Sequence, residues 1–107
     1  MQQALALAAE AEAAGEVPVA ALILQQGKVV SAERNRMREF GDPTCHAELL
    51  AIRKALEVTG TGRLEFCDLY VTLEPCTMCA GAISHARIRR LYYAAADPKA
   101  GAVDNGV

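Results

Sequence analysis

The chain has 107 residues, 52% of them hydrophobic and 22% charged, with a formal net charge of -2 and no Trp. That is the length of one domain, with apolar residues enough for a modest core and a composition unlike that of disordered chains. It excludes a membrane span, since no apolar run approaches about 18 residues, and a bulk nucleic-acid coat, which needs strong positive charge; a local basic patch stays open. The opening MQQALALAAEAEAAGE has no basic start and carries Glu10, Glu12 and Glu16, so no secretory signal is expected.

Residues 2–14 are Ala-, Leu- and Glu-rich without a breaker and predict a helix ending near Gly15. Pro18 then opens the continuous apolar run Val19 to Leu24, too short for a buried helix and therefore a buried strand. Gln26-Gly27 predicts a tight turn, with Lys28 to Ala32 returning as an antiparallel partner. Residues 33–42 are polar and read as a loop. Asp42 with Pro43 at the first helical position, or Thr44 one register later, predicts the start of a second helix reaching about Val58. Thr59-Gly60-Thr61-Gly62 ends it. Cys67 to Leu73 predicts a strand, Pro75 the first position of a helix running to about Ala86, and Ile88 to Ala95 the last strand. From Asp97 to Val107 no element is predicted. The order is α-β-β-α-β-α-β in a single domain over 1–107, an α/β layered fold with parallel pairing in its second half.

Four cysteines could form two disulfides in a small secreted protein. Without an export signal, the Cys76-x-x-Cys79 pair reads instead as metal or redox chemistry. The suggestive residues gather at two helix starts, Cys45-His46-Ala47-Glu48 and Glu74-Pro75-Cys76-Thr77-Met78-Cys79. Residues three apart lie about 300° around a helix, so both sulfurs can face one way, and a helix start favours thiolates over thiols. Two thiolates and a neutral imidazole suit Zn2+, which makes His46 the third ligand. His85 lies roughly 240° beyond Cys79, and Cys45 projects about 100° from His46, so neither is a natural fourth. Three ligands and an open position are the pattern of a catalytic zinc, and zinc lowers the pKa of its water from about 15.7 towards 7. Glu48, long and near a helix end, is placed to move the protons.

Singly, a C-x-x-C or a His-Ala-Glu means little. Together, each preceded by Pro and each opening a helix, they resemble the zinc-dependent cytidine/deoxycytidylate deaminase superfamily with its H-x-E…P-C-x-x-C signature. Within it the chain is most similar to the bacterial tRNA-specific adenosine deaminases. The likeness extends over Gly15-Glu16-Val17-Pro18-Val19, Asn35, Asp42-Pro43-Thr44, Leu69 to Cys76, Met78 to Ala82, His85, Arg87-Ile88, Asp97 and Lys99 to Ala102.

The resemblance implies a three-layer α/β/α cytidine-deaminase-like domain with a mixed sheet, short of the family's C-terminal strand and helix. It implies one zinc per subunit on His46, Cys76 and Cys79, and Glu48 as proton carrier. Asn35 would touch the substrate, with Val17, Pro18 and the Asp97 loop lining the pocket. The implied reaction is hydrolytic deamination of the tRNA wobble adenosine to inosine by a cytoplasmic homodimer. Two other readings compete: deamination of free bases or nucleosides such as guanine, cytosine or cytidine, and a non-catalytic zinc-stabilised interaction domain. Cys45 departs from the Ala common at its position. Cys67 is expected to be a buried small hydrophobe, His85 structural, Arg89 and Arg90 on opposite faces, and one of Tyr92 and Tyr93 in the core.

Overall fold

The structure is a computed structural model and describes residues 1–97 and 101–103. Lys99 and Ala100, part of the resemblance above, lie outside the described residues. The elements are α1 (Gln2–Ala13), β1 (Ala20–Gln25), β2 (Lys28–Arg34), α2 (Met37–Phe40), α3 (Ala47–Thr59), β3 (Cys67–Leu73), α4 (Thr77–Ala86) and β4 (Arg90–Ala95). The four strands form one sheet in the order β2-β1-β3-β4. β1 is antiparallel to both neighbours, and β3 and β4 run parallel, as the alternation of strand and helix predicts.

α1 ends as its Gly implies. Gly15 has φ +80, its N–H donates to Glu12 O at 3.0 Å, and Glu16 N–H donates to Ala11 O at 2.9 Å, a Schellman closure. In the hairpin, Gln26 and Gly27 take φ +52 and +78, the mirror-image turn whose twist suits two strands.

The sheet is covered on both sides. Ala21, Ile23, Leu69 and Val71 share a core with Ala47, Ala51, Ile52 and Ala55 of α3 and with Ile83 and Ala86 of α4. Ala20 and Leu22 alternate to the other face, where α1 lays Ala4, Ala8 and Ala11 on the sheet. Small side chains along that one stripe let the helix lie close. Helix, sheet and helix pair make three layers.

Four expectations need correction. The polar 33–42 segment contains the single-turn helix α2, whose Arg38 and Glu39 N–H groups donate to the Glu16 carboxylate at 3.0 and 2.8 Å. Its cap comes from 22 residues upstream, where no local pattern shows it. Second, neither Asp42 nor Thr44 caps α3; Asp42 turns back on Thr44, accepting its N–H at 2.8 Å and its hydroxyl at 2.7 Å. α3 begins later, with His46 at the N-cap. Third, Pro75 precedes the cap of α4, which is Cys76 itself. Finally, the last strand starts at Arg90, since Arg87 turns through φ +63 to end α4.

Candidate active site

Each putting of a ligand at an N-cap has a physical reading. A residue there has extended backbone and stands just outside the helix, so its side chain is free to swing across the helix mouth. His46 (φ -71, ψ 150) and Cys76 (φ -74, ψ 176) both adopt it, while Cys79 lies on the first turn of α4. The packing of α3 on α4 brings the two mouths together.

The His46 Nδ1 is 3.8 Å from Cys76 Sγ and 3.6 Å from Cys79 Sγ. All three donor atoms lie within 4.8 Å of one another. A tetrahedral zinc with Zn–S near 2.3 Å and Zn–N near 2.0–2.1 Å sets its ligand atoms about 3.5–3.8 Å apart, so these three side chains fit that ion. All four cysteines are free thiols, which agrees with rejecting disulfides. Burial, then the Glu48 and Cys76 charges, pushes the Cys79 thiol well above its ordinary value. A divalent cation reverses that balance, because coordination displaces the thiol proton.

Glu48 stands on the first turn of α3, 4% exposed, and its Oε1 has no hydrogen-bond partner among the described residues. Burial raises its carboxyl above the usual value; its own N–H, the His46 charge and the Cys79 thiol pull the other way. An orphaned carboxylate oxygen in a dry place costs about 1–3 kcal/mol or more. It is also a proton acceptor with nothing else to do.

Asn35 is buried between three elements. Its N–H donates to Val19 O at 3.0 Å, and its Oδ1 accepts the Ala47 N–H at 2.7 Å. Val17 and Pro18 are exposed on the approach to β1. Asp97 follows β4, with its N–H on the Glu74 carboxylate at 3.0 Å. Sequence reasoning placed Glu74 beside the second helix start and Glu16 in the acidic opening and a matching stretch, and gave neither side chain a role of its own. Both are buried carboxylates that hold loops through backbone N–H groups. The residue type was visible in the sequence; the distant donors were not.

The remaining residues fall outside the cluster. Cys45 is buried against Asp42, and burial raises its thiol. Cys67 is in the core, as expected. His85 is exposed on α4 and takes no part in the metal cluster. Arg89 is held by Asp68 through bonds of 3.1 and 3.0 Å, which leaves the exposed Arg90 as the freer cation of the pair. Tyr93 packs on the core while Tyr92 stacks on Tyr70 with centroids 4.8 Å apart. A cavity of about 630 Å³ opens between the far end of α3 and the start of β3, lined by Val30, Val58, Leu64 and Phe66. It shares no residue with the cluster, and the carboxylate in its wall, Glu65, is exposed and paired with Arg63 at 3.2 Å.

Residues 1–95 match the family model for the cytidine and deoxycytidylate deaminase zinc-binding region. The tRNA-specific adenosine deaminase of Agrobacterium fabrum is 56% identical over 107 residues, all of this chain and 70% of that one. A structure solved in work on A-to-I editing by tRNA:A34 deaminases superposes with a TM-score of 0.95 at 56% identity, covering 97% of this chain and 75% of its own. The guanine deaminase of Bacillus subtilis superposes with a TM-score of 0.88 at 40% identity, covering 98% of this chain and 66% of its own. The chain spans less than two thirds of the length of several other curated relatives that it matches. Matched to that model over residues 1–95 and 56% identical to a relative over its own whole length, the chain belongs to the cytidine and deoxycytidylate deaminase zinc-binding family.

Proposed function

We propose that this chain is a zinc-dependent hydrolytic deaminase that converts adenosine to inosine at the wobble position of tRNA. The observation that carries the reading is Glu48, a buried carboxylate with an unpartnered oxygen beside His46, Cys76 and Cys79. A purely structural zinc site, the interaction-domain alternative, has no use for it. The similarity to tRNA-specific adenosine deaminases supports the substrate.

Zinc, when held by those three side chains, supplies a Lewis acid that makes water nucleophilic near neutral pH. Glu48 takes a proton from the attacking water and delivers it to the adenine ring nitrogen as C6 gains its oxygen. A second proton, passed the same way, goes to the amino group as the C–N bond breaks, so adenosine and water give inosine and ammonia. Asn35 spends its oxygen on Ala47, which leaves its Nδ2 as the donor to offer the nucleoside. Val17, Pro18 and Asp97 flank the approach on loops, where specificity is set without disturbing the ligands.

The guanine deaminase likeness favours one second reading, deamination of a free base or nucleoside. The comparison to run is ammonia release from a tRNA anticodon stem-loop against guanine, cytosine, cytidine and adenosine. Turnover confined to the stem-loop is the expected result; free-base turnover with none on RNA overturns it. The reading also carries a homodimer working in the cytoplasm, and sedimentation of the zinc-loaded chain tests the dimer. Among the described residues no helix is long and apolar enough to cross a membrane.

A further inference from the structure

Glu74 follows β3 and is 2% exposed. Its backbone N–H donates to Ala95 O at 2.8 Å, fastening it to the end of β4. Its side chain reaches the segment beyond β4: Oε1 accepts the Asp97 N–H at 3.0 Å, and Oε2 accepts the Val103 N–H at 2.8 Å. One carboxylate therefore gathers two backbone donors six residues apart and brings the ends of that segment together. Bonds from a charged acceptor are roughly twice as strong as neutral ones.

Gly101 and Ala102 lie against the mouth of α4. Ala102 N–H donates to Pro75 O at 2.9 Å, and Gly101 pairs with Cys76 as an antiparallel bridge. Gly101 also donates to Asp97 O at 2.9 Å. A Cβ at this position would overlap the Glu74 carboxyl group and the Asp97 carbonyl, so the approach requires glycine. Cys76, as an N-cap, has extended backbone and precedes the first helical residue, so the helix ladder fixes it less firmly than it fixes Cys79.

We infer that Glu74 is a positioning residue for the metal cluster: through Asp97 and Val103 it seats Gly101 on Cys76 and thereby aims the Cys76 sulfur. This rests on the metal-site part of the reading above and is independent of the substrate. The chain of contacts runs from carboxylate to loop amides, from loop to the Cys76 backbone, and from there to a ligand atom. Because coupling is reciprocal, a metal on Cys76 must stabilise the seat of Gly101 on Cys76 by the same factor as that seat strengthens metal binding.

The test uses the full chain with and without zinc. Hydrogen exchange at the Asp97 and Val103 amides should slow on zinc loading of the wild type. Glu74→Gln places an NH2 opposite a backbone N–H, and Gly101→Ala displaces the loop while leaving the carboxylate. In competition with a chelating dye, each should bind zinc about 10–100-fold more weakly with wild-type circular dichroism. With Co2+ as the probe, each should also shift the thiolate absorption bands. Unchanged exchange at both amides on loading overturns the inference, and so does a folded Glu74→Gln or Gly101→Ala with wild-type affinity and spectrum. If neither variant folds, exchange in the wild type decides. A zinc-loaded wild type that deaminates nothing overturns the earlier reading and leaves this one untouched.

Discussion

The Asn35 side-chain oxygen accepts the Ala47 N–H at 2.7 Å, so a residue assigned to substrate recognition also caps the helix that presents Glu48. His46 stands at the N-cap position but makes no capping bond, its Nδ1 being turned to the two sulfurs. The helix start is thus relieved of one orphan donor by a neighbour on another element, and the ring is released for the metal.

Asn35 variants should separate the two tasks. Asn35→Ala loses the cap and should cost about 1–2 kcal/mol. Asn35→Asp keeps an acceptor for Ala47, whose amide should stay protected from exchange, but replaces the amide donor, so KM for the stem-loop rises. Its second oxygen, unpartnered at a buried position, costs about 1–3 kcal/mol. Urea denaturation, hydrogen exchange at the Ala47 amide and steady-state kinetics on both variants give the split. An Asn35→Ala chain as stable as wild type would sink the capping role.

Glu48→Gln and Glu48→Ala should retain zinc, because none of the three ligands is touched. Turnover should fall about 10²–10⁴-fold, the range for losing a positioned proton carrier. Metal analysis alongside ammonia release measures both. Turnover that survives in Glu48→Ala rules out its role as the proton carrier.

Cys76→Ala should lose metal and, with it, part of the folding free energy. For the wild type, zinc at about 100 times its Kd adds about 2.7 kcal/mol, which in a domain this size raises Tm by on the order of 10 °C. Thermal melts with and without zinc should show that rise in wild type and none in Cys76→Ala. A chelator should bring the wild type down to its metal-free Tm.

Acid should unfold the chain partly through Glu16. The Arg38 N–H, then that of Glu39 and the nearby Arg34 and Arg38 charges, hold its carboxyl below the ordinary 4.5, outweighing its burial. A depressed folded-state pKa means the stabilisation is fully present above the unfolded value and is lost as pH falls through the folded one. The Tm difference between wild type and Glu16→Gln should be constant above about pH 5.5 and shrink steadily below about pH 4.5. A difference that grows on acidification has the wrong sign for this account.

The frame and the ligands were legible because they depend on local signals. A continuous apolar run, a tight turn and β-forming residue types located the strands, and Cys76-Thr77-Met78-Cys79 with His46-Ala47-Glu48 located the metal site before any distance was known. What stayed hidden was nonlocal. Asp42-Pro43 looks like a cap, yet Asp42 spends its oxygen on Thr44, and the true cap comes from Asn35 across the fold. α2 is held by Glu16, and the Gly101 turn by Glu74. In each case a buried or turn-bound oxygen chooses among donors that only the folded chain brings within reach.

His46 and Cys76 lie 30 residues apart along the chain, and everything between them, including α3 and β3, becomes a closed ring once both hold the same ion. A covalent link around about 30 residues restricts the unfolded chain by on the order of 3–4 kcal/mol, and a long-lived coordinate tie approaches that figure from below. Cys76 and Cys79 are near neighbours, so they can capture an ion early, with His46 closing the ring last. The ion then shortens the search that docks α3 on α4. Refolding of this chain should accordingly be faster in the presence of zinc, which makes the metal an aid to assembly before it is an aid to chemistry.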